Sequence, residues 1–279
     1  MTKILITGAS GLLGPYLTRS VRQLGNIVTC GLTNGDRLVD LRDRNAVERL
    51  MQDVRPDFVF HCAAFTDVDE CENNPDKARA LNHMASRHLV ENLSSTSRLI
   101  YFSTDQVYPD TEGPHAEGQP DPVNAYGRSK LDGETEALAH ARSLVFRVNF
   151  FGRSKTPGRH SLSDWITNSL HARKPTTLFT DSLFSPLHME TLSDLVVDAV
   201  TAGLSGVYNL GCREGASKCD FALAIAAHLG LQTETASRGK ASQLSDRARR
   251  SRDLRMDVTR IEESLGKKMP SLSNEVARL

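Results

Sequence analysis

Short runs of apolar residues alternate, along the first half of the chain, with longer segments in which apolar positions recur every three or four residues. The short runs predict buried strands, and the longer segments predict amphipathic helices. Strands are predicted at residues 3–7, 26–30, 58–64, 98–103 and 144–148, and helices at residues 12–24, 44–54, 76–93 and 125–140. This alternation is typical of a parallel sheet with helices on both faces. We therefore expect an α/β fold with a Rossmann-type doubly wound sheet.

The regular pattern weakens after residue 150. Residues 152–160 are polar and contain Gly and Pro, which indicates a boundary between lobes. Beyond it, helices are predicted at residues 162–172, 192–202 and 221–229, with a strand at 206–210. We expect a large domain of residues 1–152, to which part of 185–212 returns, and a smaller lobe made of residues 153–184 and 213–279.

Composition narrows the classes of function. The 279 residues include 34 Lys plus Arg and 34 Asp plus Glu, so no net charge draws the chain onto nucleic acid or an anionic membrane. No segment has the ~20 apolar residues that span a bilayer, and the N-terminus lacks a signal-peptide pattern. The cysteines form no C-x-x-C pair and the histidines no H-E-x-x-H motif. We expect a cytoplasmic protein without a metal and without nucleic-acid or membrane partners.

A glycine-rich turn joins the first predicted strand to the first predicted helix, with the spacing G-x-x-G-x-x-G. The first glycine permits a tight turn, the second lets the backbone approach a pyrophosphate, and the third lets helix and strand pack closely. Free amide groups and the positive end of the helix dipole then face the phosphates. The turn predicts a dinucleotide site with contacts from Gly8, Ser10, Gly11, Leu12, Leu13 and Gly14.

The end of the second strand bears on which dinucleotide binds. An acidic residue at that position grips the adenosine ribose in NAD-binding folds. Residues 30–33 of this chain, C-G-L-T, place no fixed negative charge there. Arg37 can reach a 2′-phosphate, although Asp36 adjoins it. The pattern favours NADP and leaves NAD open.

A tyrosine and a lysine lie four residues apart at the start of a predicted helix, so the side chains of Tyr126 and Lys130 share one helical face. A free phenol has a pKa of about 10, too high for efficient proton exchange at neutral pH, and a nearby ammonium lowers it. Ser103 and Thr104 end the preceding strand, where a hydroxyl can bind a substrate carbonyl. The structural alternatives are a surface helix capped by Asn124 and strand-end hydroxyls bonded to their own backbone.

Several motifs together resemble the extended short-chain dehydrogenase/reductases, and most closely the dTDP-4-dehydrorhamnose reductases. They are TGASGLLG at the N-terminus, DLRD at 40–43, RPDFVFHCAAFTDVD at 55–69, LN at 81–82, STDQVY at 103–108, YGRSKLDGE at 126–134 and SPLHMETLSD at 185–194. The likeness covers nearly the whole chain and is strongest up to residue 147.

This resemblance implies a reductase of nucleotide-linked 4-keto-6-deoxy sugars. In that role Tyr126 donates the proton, Thr104 polarises the carbonyl, Lys130 holds the nicotinamide ribose, and Asp105 lies beside the substrate. The implied dinucleotide contacts beyond the glycine turn are Asp40, Leu41, Cys62, Ala63, Ala64, Asn82, Ser103, Tyr126 and Lys130. The implied substrate contacts are Thr66, Val68, Thr104, Asp105, Gln106 and Phe151.

Three departures from the family pattern qualify this picture. Gln106 stands where the family usually has an aromatic residue, and Phe150 and Phe151 stand near a frequent Trp, so the sugar itself stays open. Tyr16 aligns with a glutamate that binds magnesium between subunits in some members, which again predicts no metal. Related enzymes often pair through helices, which suggests a homodimer.

Two other functions stay open. The regulatory subunit of methionine adenosyltransferase keeps the fold and most of these motifs yet serves a partner enzyme, so the catalytic residues do not distinguish it. An NDP-sugar epimerase shares them as well. Dehydratases of this type carry an Asp-Glu pair after the strand-end Thr; here Asp105 is followed by Gln106, which disfavours dehydration.

A basic cluster lies near the C-terminus, with five arginines between residues 247 and 255. A solvated face is the first expectation. Contact with the diphosphate of a sugar nucleotide is the second, because guanidinium forks suit phosphates, and Arg249 and Arg250 are the candidates for it. We expect Trp165 in the core of the smaller lobe and His61 as a hydrogen-bonded core group.

Overall fold

The computed structural model describes all 279 residues. Fourteen strands are present, some of them only two residues long. In chain order they are β1 Lys3–Thr7, β2 Asn26–Gly31, β3 Arg37–Leu38, β4 Phe58–His61, β5 Arg98–Thr104, β6 Leu144–Val148, β7 Phe150–Phe151, β8 Thr176–Phe179, β9 Leu183–Phe184, β10 Leu187–His188, β11 Gly206–Leu210, β12 Ala216–Ser217, β13 Ala236–Gly239 and β14 Asp253–Leu254.

Seven of these strands form one parallel sheet in the order β11-β6-β5-β4-β1-β2-β3. The six strands from the N-terminal half therefore have the order 3-2-1-4-5-6 of a Rossmann fold. β11 joins the far edge, where Gly206 pairs with Leu144 and Leu210 pairs with Val148. Because the strands are parallel, the carboxyl ends of β1, β4 and β5 meet at one edge of the sheet, which is where such folds bind ligands.

Helices cover both faces of this sheet and build the smaller lobe. They are α1 Gly14–Val21, α2 Arg44–Val54, α3 Val68–Asn73, α4 Pro75–Ala78, α5 Ala85–Glu91, α6 Ala125–Leu138, α7 Leu162–His171, α8 Met189–Thr201, α9 Lys218–Leu229, α10 Thr259–Leu265 and α11 Leu272–Val276. A π-helical turn, Arg79–Met84, lies between α4 and α5, and a 3₁₀ turn, Asp105–Val107, follows β5.

The alternation of side chains along each strand produces two separate cores. Ile4 and Ile6 point to the face that α1 and α8 cover, whereas Leu5 points to the face that α2 and α5 cover. This two-sided burial explains why the strands are near-continuous apolar runs. A third core, in the smaller lobe, lies between α7 and α9 and includes Phe184 and Phe221.

Local sequence signals fix several helix ends. The side chain of Asp43 accepts hydrogen bonds from two amides in the first turn of α2. Ser161 and Asp164 form a capping box at the start of α7. α2 ends at Arg55, whose φ of +47° lies in the left-handed region and which precedes Pro56. These signals keep α2 within its predicted bounds of 44–54.

Several predicted elements differ from the structure in their bounds, and three of these differences adjoin the site. The predicted strand 58–64 ends at His61, because the next three residues turn away over the glycine turn. The predicted helix 12–24 begins only at Gly14. The predicted helix 76–93 is part of a longer succession from Val68 to Glu91, which Pro75 breaks after α3 and a π turn interrupts.

Candidate active site

The glycine turn packs tightly over the carboxyl ends of β1 and β4. Gly8 has a φ of +70°, and a Cβ on it would lie 2.6 Å from the amide nitrogen of Ala63. A Cβ on Gly14 would overlap the carbonyl group of Ala9. Both positions therefore need glycine, one for its backbone conformation and both for close approach of the backbone. Ala63 follows β4, and its amide donates a 3.3 Å hydrogen bond to Thr7 Oγ1.

Amide groups of this turn are free to bind a ligand. No backbone or side-chain acceptor in the protein takes the amide hydrogens of Ser10, Leu12 or Leu13, and α1 begins without a side-chain cap. Unpaired amides at a helix N-terminus bind phosphate, since the helix dipole favours an anion there. The turn therefore fits the pyrophosphate of a dinucleotide. Leu13 offers only its backbone, because its side chain is buried in the core.

The smaller lobe reaches this turn through residues 152–160. Thr156 donates a 3.1 Å hydrogen bond to the carbonyl oxygen of Gly11. Tyr16 donates a 2.7 Å hydrogen bond to the carbonyl oxygen of Arg153, and the ammonium of Lys155 lies 3.7 Å from the centre of the Tyr16 ring. The segment at the boundary of the lobes thus lies against the glycine turn and the start of α1.

Thr104, Tyr126 and Lys130 converge at the carboxyl end of β5. Asn124 caps α6 by accepting a 2.8 Å hydrogen bond from the amide of Gly127, which sets where the helix begins. Tyr126 then lies in the first turn and is buried near Thr104, whose hydroxyl favours the phenolate form of Tyr126. Lys130, one turn later and 2 % exposed, donates a 2.7 Å hydrogen bond to the carbonyl oxygen of Phe102.

Burial is the largest influence on the pKa values of Tyr126 and Lys130. It raises the pKa of Tyr126 above its ordinary value, against the opposing effect of Thr104. It lowers the pKa of Lys130 from 10.5 to about 7, against the opposing charge of Glu134. The ammonium of Lys130 donates to the carbonyl oxygen of Phe102 and not to the phenol of Tyr126.

Asp105 lies beside Thr104 and is 1 % exposed. Its carboxylate accepts hydrogen bonds from Asn149 Nδ2 at 2.7 Å and from Thr104 Oγ1 at 3.1 Å. Burial nevertheless raises its pKa from 3.8 to about 6. Gln106 follows in the 3₁₀ turn, where its side-chain oxygen accepts a 3.1 Å hydrogen bond from Asn124 Nδ2. Both residues thus lie at the site, held by neighbours.

Asn82 shapes the segment after β4. Its side chain binds both the amide nitrogen and the carbonyl oxygen of Phe65, at 2.7 and 2.9 Å, and donates to Ser129 Oγ. All its polar atoms are thereby used, so Asn82 acts on a ligand only through the segment that it holds. That segment carries five of the implied contacts, which are partly or fully exposed: Cys62, Ala63, Ala64, Thr66 and Val68.

Two of the implied dinucleotide contacts, Arg37 and Asp40, are engaged in surface ion pairs. Arg37, on β3, pairs with Asp53 at 3.0 Å. Asp40 binds the guanidinium of Arg42 through both carboxylate oxygens. Leu41 is buried, and its carbonyl oxygen accepts a hydrogen bond from a histidine of α5. These pairs are solvent-exposed and weak, so a ligand can displace them.

Two site assignments need correction. The hydroxyl of Ser103 donates to the buried carboxylate of Glu134, so its side chain belongs to the core beneath α6 and not to the dinucleotide site. Phe151 is fully buried, with its ring edge-on to Phe221 at 4.8 Å, and it supports the smaller lobe from within. Its side chain therefore cannot line the sugar pocket.

The smaller lobe contains a cavity of about 670 Å³. Trp165 lines it and is 49 % exposed, which contradicts its predicted place in the core. Phe179 adds a second aromatic ring, and Lys218, Lys240 and Arg247 add positive charge. Such a lining suits a flat ring next to phosphate groups.

The arginines near the C-terminus are paired with carboxylates. Arg250 binds both oxygens of Asp69, on α3, at 2.9 Å, and this lowers the pKa of that carboxyl to about 2. Arg249 is largely exposed and pairs with Asp110 at 3.2 Å. The segment from residue 245 to 252 therefore crosses from the smaller lobe to the large domain beside the site. Arg250 reaches the edge of the site, whereas Arg249 lies on the solvated face.

Some residues of the site were missed from the sequence. Lys218 begins α9 and lines the cavity of the smaller lobe, and its charge favours the ionised form of Asp105. Asn149 follows β6 and holds the same carboxylate. Asn149 had a usable signal, since it directly follows a predicted strand, which pairs with β5 in the structure. Lys218 had none, because nothing local marks it.

The structure contains no group of three or more His, Cys, Asp or Glu side chains arranged for a metal ion. Every helix is too short or too polar to cross a bilayer. His61 is a satisfied core group: its ring nitrogens bond Thr7 and Ser86, and burial lowers its pKa to about 3.

The family model for the RmlD substrate binding domain matches residues 1–279, the entire chain. The chain belongs to this family. This RmlD-family chain is 30% identical to the probable low-salt glycan biosynthesis reductase Agl14 of Haloferax volcanii, over 98% of its own length and 96% of that protein. It is 27% identical to a dTDP-4-dehydrorhamnose reductase of Escherichia coli over 74% of its length and 71% of the relative. The predicted resemblance to this family is confirmed.

One relative corresponds to the regulatory alternative. Methionine adenosyltransferase 2 subunit beta of Bos taurus is 39% identical over 142 residues, which are 49% of this RmlD-family chain and 42% of that protein. The higher identity is confined to that half-length match.

Solved structures share the whole fold. A hypothetical dTDP-4-dehydrorhamnose reductase from Sulfolobus tokodaii superimposes with a TM-score of 0.87 at 28% identity, over 97% of each chain. A dTDP-4-dehydrorhamnose reductase from Bacillus anthracis, in complex with NADP, gives 0.89 at 22% identity, over 100% of this chain and 97% of that one. The expected Rossmann-type α/β fold is confirmed.

Proposed function

We propose that this RmlD-family chain is an NAD(P)H-dependent reductase of a nucleotide-linked 4-keto-6-deoxy sugar. The observation that carries the proposal is the convergence of Thr104, Tyr126 and Lys130 at the carboxyl end of β5. This end of the sheet adjoins the free amides of the glycine turn, because β4 alone separates β5 from β1. The geometry suits reduction of a carbonyl group held between a phenol and a dinucleotide.

In the proposed reaction a bound dinucleotide supplies a hydride to the ketone carbon. Tyr126 donates its phenolic proton to the ketone oxygen, so that a hydride and a proton together complete the alcohol. Thr104 donates a hydrogen bond to the same oxygen as negative charge develops on it. The ammonium of Lys130 then stabilises the phenolate that Tyr126 becomes, from one turn along the same helical face.

The cavity of the smaller lobe is the proposed place for the nucleotide of the substrate. Trp165 offers a ring for the base, and Lys218 and Arg247 offer charge for the diphosphate. Burial lowers the pKa of Lys218, and the charge of Asp105 opposes this effect, because the cavity lies close to the end of β5. Trp165→Ala should therefore raise KM for a nucleotide sugar several-fold without a matching change in kcat.

NADPH is the preferred dinucleotide in this proposal. The end of β2 carries no acidic residue, and the exposed Arg37 stands beside it on β3. The ratio of kcat/KM for NADPH to that for NADH tests the preference, and Arg37→Ala should lower the ratio. A strong preference for NADH would refute it.

The deciding experiment follows NADPH absorbance with a panel of 4-keto-6-deoxy sugar nucleotides. We expect oxidation of NADPH with at least one of them, lost in Tyr126→Phe and kept in Tyr208→Phe, which removes another buried phenol, on β11 in the core that α1 and α8 cover. Dinucleotide binding without turnover, together with tight copurification of another enzyme, would favour the regulatory alternative. Isomerisation of a sugar nucleotide without net use of NADPH would favour an epimerase.

A further inference from the structure

A buried ion pair lies directly beneath the proposed catalytic helix. Arg147, on β6, binds the carboxylate of Glu134, on α6, with its shortest contact at 2.7 Å, and both residues are almost fully buried. The hydroxyl of Ser103, on β5, donates to the same carboxylate. Arg147 is held in turn by the hydroxyl of Tyr108 at 3.1 Å and the carbonyl oxygen of Glu117 at 2.7 Å. Every partner in this cluster is therefore fixed.

The cluster adjoins Lys130 through both the helix and the strand. Glu134 follows Lys130 by one helical turn, so the two side chains share the face of α6 that meets the sheet. They reach consecutive residues of β5, since Lys130 bonds the carbonyl oxygen of Phe102 and Glu134 bonds the hydroxyl of Ser103. Gly133 permits this close docking, because a Cβ on it would overlap the hydroxyl of Tyr101.

We propose that Glu134, fixed by Ser103 and Arg147, is a positioning residue that keeps Lys130 in its ammonium form beside Tyr126. The kinetic part of this inference rests on the proposed reductase function. Glu134 touches neither substrate nor dinucleotide; it acts through the charge of Lys130.

The other groups that face Lys130 cannot supply that charge. Burial lowers the pKa of His61 to about 3, so its ring is neutral at neutral pH. Burial also raises the pKa of the Cys62 thiol and of the Tyr101 phenol above their ordinary values, which keeps both groups protonated. Glu134 is the charged neighbour, and it opposes the burial that brings the pKa of Lys130 down to about 7.

The test compares pH profiles of kcat/KM for the wild type and Glu134→Gln. Loss of the carboxylate lowers the pKa of Lys130 further, so the ammonium form is lost at lower pH. The alkaline side of the profile, on which kcat/KM falls, should therefore move to lower pH by about one unit. At a pH on this side, kcat/KM of the variant should then be roughly tenfold below that of the wild type. Asp132→Asn is the matched control, since it removes a carboxylate from the exposed side of the same helix and should leave the alkaline side of the profile in place.

A second variant and a second readout keep the inference testable. Glu134→Gln leaves Arg147 unpaired in the core, so the double variant E134Q/R147M, which also removes that unpaired guanidinium, is measured in parallel. The dissociation constant of NADPH is also measured by fluorescence from pH 6 to 9. Its dependence on pH reports the titration of Lys130 without turnover. If no keto sugar reacts with the wild type, the proposed function fails, but the pH dependence of NADPH binding still tests whether Glu134 keeps Lys130 charged. Profiles that superimpose on the wild type, with only a lower melting temperature, would overturn the inference.

Discussion

Replacing Asp105 by Asn should stabilise the protein at neutral and alkaline pH. The carboxyl group is almost completely buried at the end of β5, and its pKa is raised from 3.8 to about 6. Two side-chain hydrogen bonds, from Asn149 and Thr104, do not compensate for this loss of solvation. At neutral and alkaline pH, the folded protein therefore contains an ionised Asp105 carboxylate at a position where burial favours the neutral carboxyl group.

The size of the effect follows from the shift in pKa. The folded chain binds the proton of Asp105 more tightly than the unfolded chain does, so this stabilisation is complete below about pH 4 and is lost as the pH rises through about 6. A difference of about two pH units corresponds to about 3 kcal/mol. The amide forms weaker hydrogen bonds than the carboxylate, and Lys218 loses a partner, which together offset about 1–2 kcal/mol. The net gain at pH 8 is about 1–2 kcal/mol.

Urea denaturation at pH 8 and at pH 4 measures both the gain and its dependence on pH. We expect Asp105→Asn to raise the free energy of unfolding at pH 8 and to leave it nearly unchanged at pH 4, where the wild-type carboxyl is neutral. Asp121→Asn, at an exposed carboxylate, should show no such difference. A variant that is less stable than the wild type at pH 8, or a difference equal at both pH values, would refute the reasoning.

Three further outcomes are expected. Tyr126→Phe should lower kcat by about 10²–10⁴-fold while the Kd for NADPH, measured by fluorescence, changes little, because only the proton donor is lost. Gly14→Ala should weaken NADPH binding and lower the Tm, because its Cβ would overlap the carbonyl of Ala9, whereas Gly118→Ala, with nothing within 4 Å, should leave both unchanged. Phe151→Ala should reduce the free energy of unfolding in urea by about 3–5 kcal/mol, as for a fully buried ring; a rise in KM at unchanged stability would return the ring to the sugar pocket.

Elements with strong local signals were predictable from the sequence. The strand at Lys3–Thr7 and the helix at Arg44–Val54 have both a clear hydrophobic period and clear end signals, and they appear within their predicted bounds. The region 68–91 was harder, because Pro75 breaks the helix after α3 and a π turn interrupts the rest. Periodicity alone does not distinguish one long helix from several short ones in succession.

Site residues were predictable from the sequence where their place at the end of a strand or the start of a helix brings them to the site. Thr104 and Tyr126 were found from a strand end and a helix start. Neighbouring residues of a strand point to opposite faces, so Ser103 could not share the face of Thr104, and that rule would have removed it from the predicted contacts. Phe151 and Trp165 lie in the smaller lobe, where short strands give no period from which to infer which side chains face the cavity.

β11 has a consequence for how the chain must assemble. The polypeptide leaves the large sheet after Val148, builds part of the smaller lobe, and returns only at Gly206 to complete the edge with Gly206–Leu210. A fragment that stopped at residue 152 would expose β6, whose five residues are all buried here, as an open strand edge. Such a piece would associate with its own copies. During synthesis, the large sheet thus stays incomplete until the ribosome has passed Leu210.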